Sequence, residues 1–144
     1  MKPTPNDVLR LQVVYGHGVE NYFNDAPVDV GVESNPGNAV TPVKGEALPD
    51  FGLVAYLDHT WNDKWTSAVG YSRVDITTSD LQAGTAFRRG QYASVNLLCT
   101  PVPNVMIGGE FQWGQRKNLD DFKFNDYRLQ FSFKYSFSAK IIGG

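Results

Sequence analysis

Residues 127–137 read Tyr127-Arg128-Leu129-Gln130-Phe131-Ser132-Phe133-Lys134-Tyr135-Ser136-Phe137, an unbroken alternation of aromatic or aliphatic with polar or charged side chains. Successive side chains on a strand point to opposite faces, so Tyr127, Leu129, Phe131, Phe133, Tyr135 and Phe137 form one stripe. Arg128, Gln130, Ser132, Lys134 and Ser136 form the other. Aromatic rings stand at both ends of the apolar stripe, where interfacial girdles lie, and about 11 residues tilted by roughly 45° cross a bilayer's hydrocarbon. The pattern predicts a strand with one face in lipid and the other in water.

Composition narrows the class further. No run of about 18 apolar residues is present, which excludes a membrane helix. A barrel is then the one spanning architecture left, because lipid cannot satisfy exposed backbone groups. A net charge of −2 with 19% charged residues argues against a nucleic-acid partner. The single cysteine, Cys99, cannot form an internal disulfide and reads as a small apolar strand residue. Residues 1–7 lack the apolar stretch of a secretory signal, so an exported chain is expected either to be shown from its mature start or to lack its front.

Six strands are expected, at about 7–18, 51–61, 64–76, 91–100, 105–116 and 127–137. Between the first two, residues 24–49 carry Pro27, Pro36, Gly37, Pro42, Gly45 and Pro49, the chemistry of a long external loop with little strand period. Asn62-Asp63 and Pro101-Val102-Pro103-Asn104 are tight turns. The connections at 77–89 and 117–123 read as longer. Short turns on one end and long loops on the other match the periplasmic and external ends of an outer-membrane barrel. The expected fold is thus all-β: an antiparallel transmembrane barrel segment over 7–137, followed by a tail at 138–144.

Three stretches carry a family resemblance. They are Leu9-Arg10-Leu11-Gln12-Val13-Val14-Tyr15-Gly16 with Asn21-Tyr22-Phe23-Asn24-Asp25-Ala26-Pro27-Val28-Asp29; Tyr56-Leu57-Asp58-His59-Thr60-Trp61-Asn62-Asp63-Lys64-Trp65 with Gly70-Tyr71-Ser72-Arg73; and Thr100-Pro101-Val102-Pro103-Asn104-Val105-Met106-Ile107-Gly108-Gly109-Glu110-Phe111-Gln112-Trp113-Gly114. In these the chain resembles the C-terminal part of DcaP-like trimeric outer-membrane porins. The resemblance implies the last strands of a barrel of about 16, a homotrimer, assembly by the barrel-assembly machinery, and diffusion of small, preferably anionic solutes such as dicarboxylates. Two features depart from it: Cys99 stands where a belt aromatic is expected, and the tail runs past Phe137.

In such a barrel, charges on the wet stripe set the potential a solute meets in a narrow water column. The alternation assigns Arg10, Arg116, Arg128 and Lys134 as anion-steering residues, with Asp58, Glu110, Gln112 and Gln130 beside them. Arginine holds a carboxylate through two parallel hydrogen bonds, which singles out Arg10 and Arg128. The blander alternative is that these charges pair across strands and keep the lumen hydrated. Tyr15, Trp61, Trp65, Trp113, Tyr127, Tyr135 and Phe137 form the interfacial belt facing outer-membrane lipid. Arg73 and Asp75 share the parity of Val69 and Tyr71, so either they lie beyond the membrane edge or a bulge shifts their register.

Catalysis is not expected. His17 and His59 lack partners at metal-ligand spacing, no cofactor motif is present, and neither Ser67 nor Ser72 stands in a nucleophile motif. Gly16-His17-Gly18 has no following helix to cradle a phosphate. Two other classes compete with a porin: a soluble up-and-down barrel binding a lipid-like ligand, and a surface adhesion barrel acting through residues 24–49.

Overall fold

The period-two segments assemble into one antiparallel sheet. A computed structural model describes residues 1, 4–23 and 26–137. The strands are β1 (Asp7–His17), β2 (Val30–Ser34), β3 (Val43–Ala47), β4 (Pro49–Thr60), β5 (Trp65–Ile76), β6 (Phe87–Val102), β7 (Val105–Asn118) and β8 (Lys123–Tyr135). A single 3-10 turn, Glu20–Tyr22, follows β1, and among the described residues there is no α-helix. Six strands form a sheet in the order β1-β4-β5-β6-β7-β8, while β2 and β3 pair with each other alone.

The turns follow from local chemistry. The Asn62 Oδ1 accepts from the backbone amides of Lys64 (2.9 Å) and Trp65 (3.1 Å), closing the β4–β5 turn. Asn104 at φ 67° reverses the chain between β6 and β7, and Asp121 at φ 65° does so between β7 and β8. Both are residue types that tolerate the left-handed region.

Two expectations need correction, and one open alternative is decided. Residues 24–49 are not structureless, because Val30–Ser34 and Val43–Ala47 pair as a hairpin. Strands β6 and β7 are longer than their alternation indicated and β8 begins earlier, so the last hairpin closes over residues 119–122 and that connection is short. The short-turn/long-loop asymmetry therefore does not extend to the fifth connection. The sheet order is linear and does not close on itself, leaving the outer edges of β1 and β8 without a strand partner among the described residues. The backbone of Met1 exchanges two hydrogen bonds with Leu9 on the first of these edges. Finally, no bulge interrupts β5. Its pairing with β4 runs in steady register from Asp50–Ile76 to Thr60–Thr66, so Arg73 and Asp75 lie on the apolar parity toward the loop end. The register shifts fall in β6, between Phe87 and Arg89 and between Cys99 and Val102. Asn24, Asp25 and the tail 138–144 lie outside the described residues.

Paired residues share a face, and the registers match odd with odd across all six strands from Arg89 to Cys99 of β6 outward. One transverse row is Leu9, Leu57, Val69, Val95, Phe111 and Leu129; the next toward the loop end is Leu11, Ala55, Tyr71, Ala93, Trp113 and Tyr127. The apolar band crosses these rows diagonally. On β1 it extends up to Tyr15, whereas on β8 it extends down to Tyr135. A band that steps along the register from strand to strand is what strands tilted against that band produce.

No described residue covers this odd face. Val69, Val95 and Phe111 have strand neighbours on both sides and still remain 52%, 48% and 45% exposed. The buried core, Ala26, Leu48, Val74, Ile76 and Phe87, sits on the even face, at the loop end.

Candidate functional site

All eight residues assigned to the wet stripe lie on the even face. Arg10 opposes Tyr56, and the same transverse row continues through Gly70, Ser94 and Gln112 to Arg128. The adjoining row holds Asp58, Asn96, Glu110 and Gln130, with Arg116 toward the loop end and Lys134 toward the short-turn end. Tilted strands thus place the charges at several depths along one surface.

This face also bears a cavity. Its volume is about 470 Å³, and it is lined by side chains from β1, β4, β5, β6 and β7, including Gln12, Tyr56, Ser72, Tyr92 and Arg116. Tyr22 and Phe23 of the loop after β1 complete its wall. Ser94, on the same face, is only 9% exposed, its Oγ 3.4 Å from the hydroxyl of the cavity-lining Tyr56.

Several charges are engaged locally. Arg10 forms an ion pair with Asp58, Glu110 accepts from Gln112, and the Asn96 Oδ1 accepts from the Ala68 amide at 2.9 Å. The Arg116 guanidinium stands 5.6 Å from the centroid of Phe87, with its Nε donating to Asn118 Oδ1 (2.8 Å) and a terminal nitrogen to the Thr85 carbonyl (3.3 Å). These contacts fix where Arg116 stands while leaving its charge uncompensated. Asp126 also falls on the even face, opposite Gly114, and is an acidic residue that the reading of the wet stripe omitted. The cationic excess on this face is correspondingly smaller than expected.

The loop end holds the largest departure from expectation. Phe23, Ala26, Val28 and Leu48 of the loop after β1 pack on the even face. Phe23 occupies the space a side chain at Gly52 would fill, and Leu48 packs with Val74, Ile76 and Phe87. The β2–β3 hairpin is tied to the 77–86 connection: Ser79 Oγ donates to the Val32 carbonyl at 2.7 Å, and Asp80 Oδ1 accepts from the Ser34 amide at 3.0 Å. Within the hairpin, Lys44 lies 3.1 Å from Glu33 and 3.8 Å from Glu46. Its ammonium is held above the ordinary lysine range by the Glu33 hydrogen bond, then by the charges of Glu33 and Glu46. At the loop's base Asp50 is fully buried; one carboxylate oxygen accepts from the Val19 amide at 3.4 Å and the other has no partner.

Of the aromatic residues assigned to the belt, those on strands lie on the odd side. Tyr15, Trp113 and Tyr127 stand toward the loop end, while Trp65 and Tyr135 stand toward the short-turn end, where Phe137 stacks on Tyr135. Trp61 packs edge-on against His59 at 4.3 Å and donates to Ser67 Oγ at 2.9 Å. Cys99 opposes Trp65, so the aromatic that Cys99 lacks is supplied by its strand neighbour. His59 Nδ1 lies 2.6 Å from Asp7 Oδ1, and Ser67 is engaged by Trp61. Among the described residues no group of metal-ligating side chains gathers.

The docking of this loop was missed because its cohesion comes from contacts remote in sequence. Glycines at even positions, Gly52, Gly70 and Gly90, were the available signal: Phe23 lies over the first, Tyr56 over the second, and Phe87 and Val74 against the third. No protein-family model, curated protein or solved structure matches the chain.

Proposed function

We propose that residues 7–137 form an arc of an outer-membrane porin, a larger barrel completed by further strands at the open edges of β1 and β8. Small hydrophilic solutes diffuse along the even face. The observation that carries this reading is the asymmetry of the sheet: the exposed odd face is apolar, and the even face, which bears the cavity, is polar and charged. Soluble monomers rarely expose contiguous apolar patches beyond a few hundred Å². A soluble lipid-binding barrel needs its apolar stripe on the inner side, so this asymmetry weighs against that alternative. The exposed edges are templates for strand pairing, and closure is how barrels remove them.

Inside, Arg10, Arg116, Arg128 and Lys134 face two shared acids, Asp58 and Glu110, together with Asp126. Asp50 lies on the same face but is buried under the loop, so three solvent-accessible acids stand against four cations, an excess that favours anions weakly, in line with the dicarboxylate-type solutes implied by the resemblance to DcaP-like porins. The inward loop narrows the water column at its external end, above the 470 Å³ cavity. The decisive experiment is planar-bilayer conductance of the protein carrying this arc, at low ionic strength where screening is weak. Ohmic steps whose anion preference falls when Arg128 and Arg116 are neutralised support the reading; folded protein that gives no steps overturns it.

A further inference from the structure

The odd face does not end abruptly above its aromatic row. Toward the loop end, Arg73, Gln91, Gln115 and Asn125 form the next row over β5 to β8, and Asp75, Arg89, Lys117 and Lys123 the one after. Each step is two residues, about 7 Å along a strand. The intermediate row is a ladder of side-chain hydrogen bonds: Tyr71 donates to Gln91 (2.7 Å), Gln91 to Gln115 (3.0 Å), and Gln115 to Asn125 (2.8 Å), which also accepts from Trp113 (3.2 Å). Polarity thus rises in order from hydrocarbon-like to aromatic to amide to charge.

The outermost row stacks Arg89, Lys117 and Lys123 directly opposite one another on adjacent strands. Like charges in that relation repel. Among the described residues two carboxylates answer them: Asp75 lies between Arg73 and Arg89, with Arg89 Nε at 2.5 Å, and Asp121 lies between Lys117 (2.5 Å) and Arg88 (3.5 Å). Five cations against two carboxylates leave three positive charges on this rim, in a chain whose net charge is −2.

We propose that Arg89, Lys117 and Lys123, flanked by Arg73 and Arg88, bind the phosphate groups of membrane-lipid headgroups on the outer side of the sheet. This rests on the membrane reading above. Arginine matches phosphate oxygens bidentately and lysine supplies point charge, while the apolar band directly below receives the same lipid's acyl chains. The row is distinct from the cations of the even face, which have the opposite parity.

The test uses the full protein in detergent, titrated with lipid A carrying its phosphates or with dephosphorylated lipid A, and retained lipid is counted by native mass spectrometry. The phosphorylated lipid is expected to bind tighter, and the Arg89→Gln/Lys117→Gln/Lys123→Gln triple variant to lose that preference by about a hundredfold. An Arg89→Lys/Lys117→Arg/Lys123→Arg variant keeps it, and inorganic phosphate at matched concentration does not displace the lipid. Equal binding of both lipids to the unaltered protein, an unchanged preference in the neutralised variant, or displacement by inorganic phosphate overturns the proposal, and the first comparison stands even if the neutralised variant fails to fold. A protein that does not enter bilayers at all overturns the membrane reading and this one with it; one that conducts but ignores the lipid phosphates overturns this one alone.

Discussion

The ring of Phe23 fills the space that a side chain at Gly52 would need, and this fit seats the loop after β1 on the even face of β4. Gly52→Val cannot coexist with that ring position. The variant is expected to release Phe23, weaken loop docking by about 1–3 kcal/mol, and enlarge the conducting step. Limited proteolysis within residues 18–48 should accelerate while strand content holds. Unchanged cleavage and unchanged conductance would show that the loop is held elsewhere.

Arg10 and Asp58 form an ion pair on the even face, with side chains 64% and 29% exposed. A pair this wet contributes about 0–1 kcal/mol to stability, so Asp58→Asn should leave unfolding nearly unchanged while freeing the Arg10 charge. Reversal potentials under a salt gradient should move toward anions for Asp58→Asn and toward cations for Arg10→Gln. Movement in the same direction for both variants contradicts a role of this pair in selectivity.

Asp121 closes the β7–β8 turn at φ 65° with its carboxylate 2.5 Å from Lys117. The Lys117 hydrogen bond and charge hold its carboxyl below the ordinary value of 3.8, with Arg88 and Lys123 adding to the effect. A depressed folded-state value stabilises above the unfolded value and is lost as pH falls through the folded one. The turn should therefore be tightest above about pH 4 and loosen below it, as read by amide exchange at residues 118–123. Asp121→Asn tolerates the same backbone and should remove that pH dependence; an equally pH-sensitive Asn variant would place the titrating group elsewhere.

Leu129 and Gln112 stand on opposite faces of neighbouring strands. In vesicles of brominated phospholipid, tryptophan introduced at Leu129 should be quenched strongly by mid-chain bromine, and tryptophan at Gln112 should not. Val95→Arg on the apolar face should cost about 2–4 kcal/mol against urea, whereas a cation on the lumen face is tolerated. Equal quenching at both sites would mean that the odd face does not meet lipid.

The alternation of β8 and the weaker alternations of β1, β4, β5 and β7 were legible residue by residue, because a period of two is written locally. The eight wet-stripe residues could be grouped for the same reason. Asp126 was overlooked because β8 was expected to begin only at Tyr127; pairing with β7 extends it back to Lys123. The β2–β3 hairpin was hidden by its prolines and glycines, and by having only five residues in each strand.

The sequence by itself determined which side chains share a face and that one face is apolar over the length of a membrane strand, since both follow from backbone geometry. It could not determine which face the loop and the cavity occupy, for alternation is symmetric between the two faces. Tertiary structure decided that. The registers align five strands' polar residues around one cavity, and the loop's apolar residues are buried against the polar face at its end, leaving the apolar band bare. The cationic rim likewise exists only through register, because Arg89, Lys117 and Lys123 are far apart in the chain until three strands set them side by side.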